Sequence, residues 1–218
     1  MRLTMFWRST IGKKIVMAVT GLIFVGFVIG HLSGNLLVFR GPEKINAYSA
    51  FLHSLGGLLW VVRVVLLVSV ILHATAAYQL TALARAARPI GYAEYAPQVS
   101  TFAARTIRWG GTLILVFVIL HLLHFTTGTL QPVPFSEHDV YANVVGAFRI
   151  WWVAALYIVA MIALGLHLYH GAWSSFRTLG AIRPSAHPLK RTVAAAVAVL
   201  VWLGFTLVPV AILIGYVR

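Results

Sequence analysis

Nine histidines hold most of the chemistry available to this sequence. Six of them, His31, His73, His121, His124, His167 and His170, fall inside long apolar runs; His53, His138 and His187 fall between runs. An imidazole is a nitrogen ligand for transition metals, a hydrogen-bond partner and a proton carrier. Ionisable groups in apolar runs of membrane length are rare and raise a functional hypothesis by default. For a single histidine, a neutral ring bonded to a neighbouring helix is an equally good reading. For six histidines over four runs, with none in a fifth, that reading is much weaker.

Composition excludes other chemistries. The chain has no cysteine, which removes disulfides, protein-ligated iron–sulfur clusters, zinc fingers and thioether-attached haem. Hydrophobic residues make up 61% and charged residues 10%, against about 25% charged in an ordinary soluble domain. A disordered chain, a soluble globular domain and a water-exposed repeat protein are therefore excluded. The charge is lopsided, with 17 Lys and Arg against 4 Asp and Glu, and no acid lies in an apolar run.

The histidines need elements to hold them, and the apolar runs supply five. A spanning helix takes about 20 apolar residues. Residues 15–39, 58–83, 107–128, 150–176 and 193–217 qualify, the second interrupted by Arg63. The links hold Gly41-Pro42, Pro89, Pro97, Pro132, Pro134, Pro184 and Pro188, all helix breakers. The expectation is an all-α integral membrane protein, one domain over residues 1–218, with five transmembrane helices. The first run is too long for a signal peptide and reads as a retained helix. In the first link Ile45, Tyr48, Phe51 and Leu52 recur at helical spacing, which predicts a short amphipathic helix along the outer interface. The third link, residues 129–149, has weaker patterning and carries the same expectation.

Orientation follows from the basic residues. If the helices alternate, Arg2, Arg8, Lys13, Lys14, Arg85, Arg88, Arg105, Arg108, Arg177, Arg183, Lys190 and Arg191 share one side. Arg40, Lys44, Arg63, Arg149 and Arg218 share the other. Twelve against five in short loops predicts a cytoplasmic N-terminus and an outer C-terminus, in the cell membrane. The acids Glu43, Glu137 and Asp139 fall on the outer side. Spread over three loop sites, the net charge of +13 is a poor nucleic-acid surface.

Depth pairs the histidines. At a rise of about 1.5 Å per residue, His31 and His121 lie ~11–12 Å below the outer boundary, and His73 and His167 lie ~23–25 Å below it. Each pair joins non-adjacent helices, as when two ligands face each other across a four-helix bundle. Zinc and copper sites usually add ligands, often carboxylate or thiolate, and the runs contain neither. A b-type haem fits better, because two imidazoles complete its iron and apolar walls suit its faces. The first four spans are thus expected to form a bundle holding two haem b groups, ligated by His31 with His121 and by His73 with His167. Depth alone also admits His124 as the partner of His31. His124 and His170 are candidates for a propionate or quinone contact, or for a backbone hydrogen bond. Arg63 either snorkels outward beside Trp60 or meets a propionate or quinone headgroup. Gly26, Gly30 and Gly34 form a ridge that admits either a helix or a macrocycle.

The ordered motifs resemble a known family. They are Gly30-His31-Leu32-Ser33-Gly34-Asn35-Leu36, Gly41-Pro42-Glu43, Asn46-Ala47-Tyr48, Phe51-Leu52-His53-Ser54-Leu55 and Leu72-His73. Arg108 stands thirteen residues before His121, and Gly171 and Trp173 follow His167. Over essentially its whole length the chain resembles the single-polypeptide, five-helix cytochrome b subunit of succinate dehydrogenases and fumarate reductases. The resemblance implies His31 and His121 on an outer haem and His73 and His167 on an inner one. Through the Arg108 spacing it favours His121 over His124. It implies a membrane anchor for a flavoprotein and an iron–sulfur subunit, with quinone, of the menaquinone type, as electron acceptor. Lys14, Arg85, Arg105 and Arg108 are candidate neighbours of inner propionates or of the partner subunit. The chain has no flavin, nucleotide or dicarboxylate motif, so succinate chemistry would belong to a partner. The alternatives are the dihaem subunit of a formate dehydrogenase or hydrogenase, and a transporter that uses buried histidines.

Overall fold

Long apolar runs free of internal glycine-proline pairs fold as helices because in lipid each backbone N–H must bond within its own segment. In the computed structural model, which describes residues 2–87, 90, 101–181 and 187–218, five helices are long and apolar enough to cross a membrane. Arg88, Pro89, Pro97, Arg183 and Pro184 lie outside the described residues, as do the side chains of Arg2, His187 and Pro188. A short helix α1 (Arg2–Arg8) precedes the first span, α2 (Thr10–Asn35), which tightens into a 3₁₀ turn over Leu36–Arg40. Then follow α3 (Pro42–Ser54), α4 (Gly57–Ala86), α5 (Phe102–His121, continued by a π-helical turn over Leu122–Thr126), α6 (Val140–Phe148), α7 (Trp151–Thr178) and α8 (His187–Leu213). Among the described residues there is no strand. The chain is an all-α, multi-pass membrane protein.

Local chemistry sets the ends of these helices. Ser9 accepts the Gly12 N–H at 2.9 Å, and Thr101 accepts the Ala104 N–H at 3.2 Å; both serve as N-caps. Lys13 is buried and donates to the carbonyls of Trp7 and Arg8, satisfying the end of α1. Gly56, at φ +53°, makes the tight corner between α3 and α4.

Helix α7 is the hub, packed against α2, α5 and α8, while α4 packs chiefly against α2. One apolar core lies at the end capped by α3 and α6, around Val38, Ile45, Val145, Phe148, Tyr157 and Ile212. A second, around Leu168, Ala198 and Val201, joins α7 and α8, with Val25 and Leu32 of α2 packed against it. Large apolar side chains such as Val64, Leu67 and Ile71 of α4 and Leu200 and Leu203 of α8 face outward. In a bilayer such surfaces meet acyl chains rather than water.

The helix boundaries depart from the apolar runs in an instructive way. Helix α8 begins at His187, six residues before the apolar run, because its backbone bonds continue through Lys190 and Arg191. Arg191 Nε donates to Tyr169 Oη at 2.8 Å, which ties that basic end to α7. The first link forms the expected helix, α3, with Ile45 buried and Phe51 exposed. The third link also forms a helix, α6, and most of it is buried. Helix α6 is a lid with Val144, Val145, Ala147 and Phe148 buried, because those side chains plug the end of the bundle. The glycine ridge divides as well. Gly34 leaves room for the Tyr48 ring, whereas a side chain at Gly26 or Gly30 would meet nothing within 4 Å.

The lid is latched to α3 by polar groups. Asn46 Nδ2 donates to Asp139 Oδ1, and the Tyr141 N–H donates to Asn46 Oδ1, both at 3.0 Å. Asp139 also caps α6 by accepting the Ala142 N–H at 3.0 Å. The Ala142 N–H and the Asn46 amide hold the Asp139 carboxyl below its ordinary pKa. A folded pKa below the unfolded one means that the stabilisation is complete above the ordinary carboxylate range. It is lost as pH falls through the folded value. Asp139→Ala is expected to cost about 1 kcal/mol at neutral pH, the usual worth of an N-cap. Thermal unfolding in detergent should find that the gap to wild type closes in acid.

Candidate functional site

The histidines of the long helices come together as two facing pairs. His31 of α2 and His121 of α5 have ring centroids 5.8 Å apart, with planes at 81°. His73 of α4 and His167 of α7 are 6.1 Å apart at 53°. In both cases the rings approach where the helices themselves do not pack. The principal helix contacts join α2 to α4 and α7, and α5 to α7; those between α2 and α5 and between α4 and α7 are at most marginal. Two imidazoles that share one metal through bonds of about 2.0 Å have centroids roughly 6.3 Å apart, once the ring radii are added. Each pair is therefore close to the spacing at which one metal bridges two nitrogens. Among the described residues no cluster of three or more His, Asp or Glu could hold a metal ion, so the donor sets are pairs.

The His73–His167 pair is set by small and hydroxylic neighbours. Thr20 of α2, 5% exposed, donates its hydroxyl proton to the Val16 carbonyl at 2.7 Å. Its oxygen lies 3.0 Å from His73 Nδ1. When the Thr20 proton goes to Val16, Thr20 accepts from His73 Nδ1, and Nε2 is left as the lone-pair nitrogen. This is the arrangement that orients a metal-ligating histidine. His73 leans over Gly21, where an added Cβ would lie 3.5 Å from its ring. His167 leans over Gly111 of α5 at 3.3 Å, and its Nδ1 is buried with no hydrogen-bond partner among the described residues. The two glycines give the rings the room that a larger residue would take.

The His31–His121 pair sits in an aromatic cage. Phe27 stacks on His31 with centroids 5.4 Å apart, and Phe205 of α8 approaches to 5.8 Å. Phe117 and Phe125 each lie 5.8 Å from His121. Directly after His121 the helix widens into its π turn, closed by Thr127 N–H to the Leu122 carbonyl at 3.0 Å. Such turns are uncommon and concentrate at functional positions. The ring that meets His31 is His121. His124 is buried against Phe125, centroids 4.0 Å apart, and its Nδ1 bonds Tyr157 Oη at 2.8 Å.

Other candidates disperse. The Arg63 guanidinium lies over the Trp60 ring at 5.0 Å, one turn toward the α3 end, which is the outward-snorkelling geometry. His170 is half-buried one turn beyond His167, and Arg85, Arg105 and Arg108 are exposed. Lys14 and Arg177, with Ile11, Ser174 and Thr178, line a groove of about 360 Å³ between α2 and α7. A second groove of about 240 Å³, nearly all apolar, opens between α5 and α7, with His167 on its wall. Thr20, Gly21, Gly111 and Tyr157 were not flagged from sequence. They are common residue types in membrane helices, and only the packing gives them a partner.

Comparison with family models, characterised protein sequences and solved structures returned no match. The site's geometry is testable without reference to any function. Gly111→Val drives a branched side chain into the His167 ring and is expected to cost about 1–3 kcal/mol, as overpacking does. Gly110→Ala, which meets nothing within 4 Å, is expected to be neutral or stabilising by up to about 1 kcal/mol. Unfolding curves of the two neighbouring variants check the contrast.

Proposed function

We propose that this protein is the dihaem cytochrome b membrane-anchor subunit of a succinate:quinone oxidoreductase. It carries electrons from the iron–sulfur subunit of a flavoprotein/iron–sulfur pair to a quinone, menaquinone by the family resemblance. The observation that carries the reading is the two-fold recurrence of facing imidazoles, at 5.8 and 6.1 Å, between helices that do not pack on each other.

The chain's own residues fit two haem b groups. His31 with His121, and His73 with His167, would hold the two haem irons. Open space beside Gly26, Gly30 and Gly171 suits the close approach of a flat ring. Phe24, Phe27, Phe117 and Phe205 line the pairs with apolar surface. Bound haem supplies one-electron redox chemistry, while the protein sets ligation, orientation and local polarity. Thr20 keeps the His73 proton away from the ligating nitrogen. Lys14 and Arg177 bring positive charge to the α1 end of the bundle, suited to inner propionates and to an electron-donating partner. By the positive-inside rule that end is cytoplasmic. No Asp or Glu stands in the five long helices, which argues against proton transfer through an intramembrane carboxylate.

A reduced-minus-oxidised visible spectrum tests the proposal. The expected result is a b-type signal with about two haems per chain, one for each histidine pair. His31→Ala and His73→Ala should each lose one haem, and His124→Ala should keep both. A folded, colourless preparation overturns the cofactor assignment and favours the transporter reading. Co-purification with a flavoprotein and an iron–sulfur protein supports the succinate complex. Co-purification with a formate- or hydrogen-oxidising enzyme replaces it.

A further inference from the structure

The His31–His121 pair has a polar neighbour that its redox role does not by itself require. Tyr157 of α7 places Oη 2.8 Å from His124 Nδ1 and 3.4 Å from His121 Nδ1. A phenol has one proton, so it donates to one ring and accepts from the other. The direction is decided at the far end of the chain of contacts. Gln131 Nε2 donates to the Asn143 carbonyl at 3.0 Å, which fixes the amide and turns Oε1 the other way. Gln131 lies beside His124, with no hydrogen bond yet closed between them. Gln131 Oε1 and His124 Nε2 are both buried, and neither has a hydrogen-bond partner among the described residues. One is an acceptor without a donor. The other becomes its donor when His124 carries its proton on Nε2. Leaving both unpaired inside the protein is costly, and a small side-chain shift joins them directly.

The remaining protons then follow in order. With its proton on Nε2, His124 presents a lone pair at Nδ1 and accepts the Tyr157 O–H. The Tyr157 oxygen is left to accept, so His121 carries its proton on Nδ1. Its Nε2 becomes the lone-pair nitrogen. We propose that Gln131, His124 and Tyr157 form a hydrogen-bond relay that fixes the His121 tautomer and sets the electron-donating strength of its free nitrogen. Tyr157 and His124 are positioning residues in this scheme, acting through His121. Thr20 does the same for His73 with a single hydroxyl, so the two pairs are tuned by different groups. His121 and His124 both address one hydroxyl from neighbouring positions on the same helix, the π turn beginning directly after His121.

Two measurements test the relay. Solid-state NMR of histidine-selective ¹⁵N-labelled protein in bilayers, with any haem kept reduced and diamagnetic, reads the tautomers directly. His121 is expected as the Nδ1–H form and His124 as the Nε2–H form, and Tyr157→Phe should move the signals of these two rings. The opposite tautomers in wild type, or unmoved signals in the variant, overturn the relay whether or not the protein binds haem. Redox titration tests the tuning, which rests on the dihaem reading. Tyr157→Phe should keep both haems and raise one midpoint potential, because losing the acceptor weakens donation from His121 and disfavours oxidised iron. Thr20→Val should raise the other. Both haems retained with both potentials unchanged in Tyr157→Phe overturns the tuning role. A colourless wild type instead overturns the dihaem reading and leaves the NMR result to decide the relay.

Discussion

Hydrocarbon supplies no water to complete a hydrogen bond, and the rest of this structure answers to that constraint. An imidazole in such surroundings has one N–H and one lone pair, and each must be placed deliberately. In each pair one ring has a hydroxyl against one of its nitrogens: Thr20 at His73 and Tyr157 at His121. Glycines and phenylalanines complete the arrangement, because they give room and apolar contact without adding a competing polar group.

The same constraint explains the roles of the helices. Helix α7 meets three neighbours and carries His167, His170 and Tyr157, so it contributes to both histidine pairs. The short helices α3 and α6 work at one end only. They fold apolar side chains over the bundle and settle their own polar atoms through Asn46, Asp139 and Asn143. The opposite end has no comparable lid among the described residues and presents exposed basic side chains such as Lys14 and Arg177.

Much of this fold could be read from the sequence because apolar length is a property of composition alone. The five long helices follow from it, and α3 follows from the spacing of Ile45, Tyr48 and Leu52. The start of α8 was missed because hydropathy reports side chains, whereas a helix continues as long as its backbone bonds do, here through Lys190 and Arg191. The burial of α6 was missed because a short apolar helix looks the same whether it lies on a membrane or closes a bundle. Which histidines meet was legible, His31 with His121 and His73 with His167, since helical rise converts residue number into position along the bundle. The ring facing His31 was open between His121 and His124 on depth alone; the Arg108 spacing of the resemblance favoured His121, the ring that meets His31. Thr20, Gly21, Gly111, Tyr157 and Gln131 carried no signal. Their roles come from the rotational setting of one helix against another, which a single chain's periodicity does not encode.

The separation of paired helices along the chain has a consequence for biogenesis. Each histidine pair skips a helix: α2 waits for α5, and α4 waits for α7. During synthesis from the N-terminus, the His31–His121 pair is complete once α5 has entered the membrane. The His73–His167 pair stays half-built until α7 arrives. The hub that organises the bundle is thus its fourth long helix to be made. Until then α4 is held mainly by α2, and its histidine faces an unfilled gap. A ligand bridging either pair would join two helices with almost no contact of their own, and so would act as a late structural fastener as well as a cofactor.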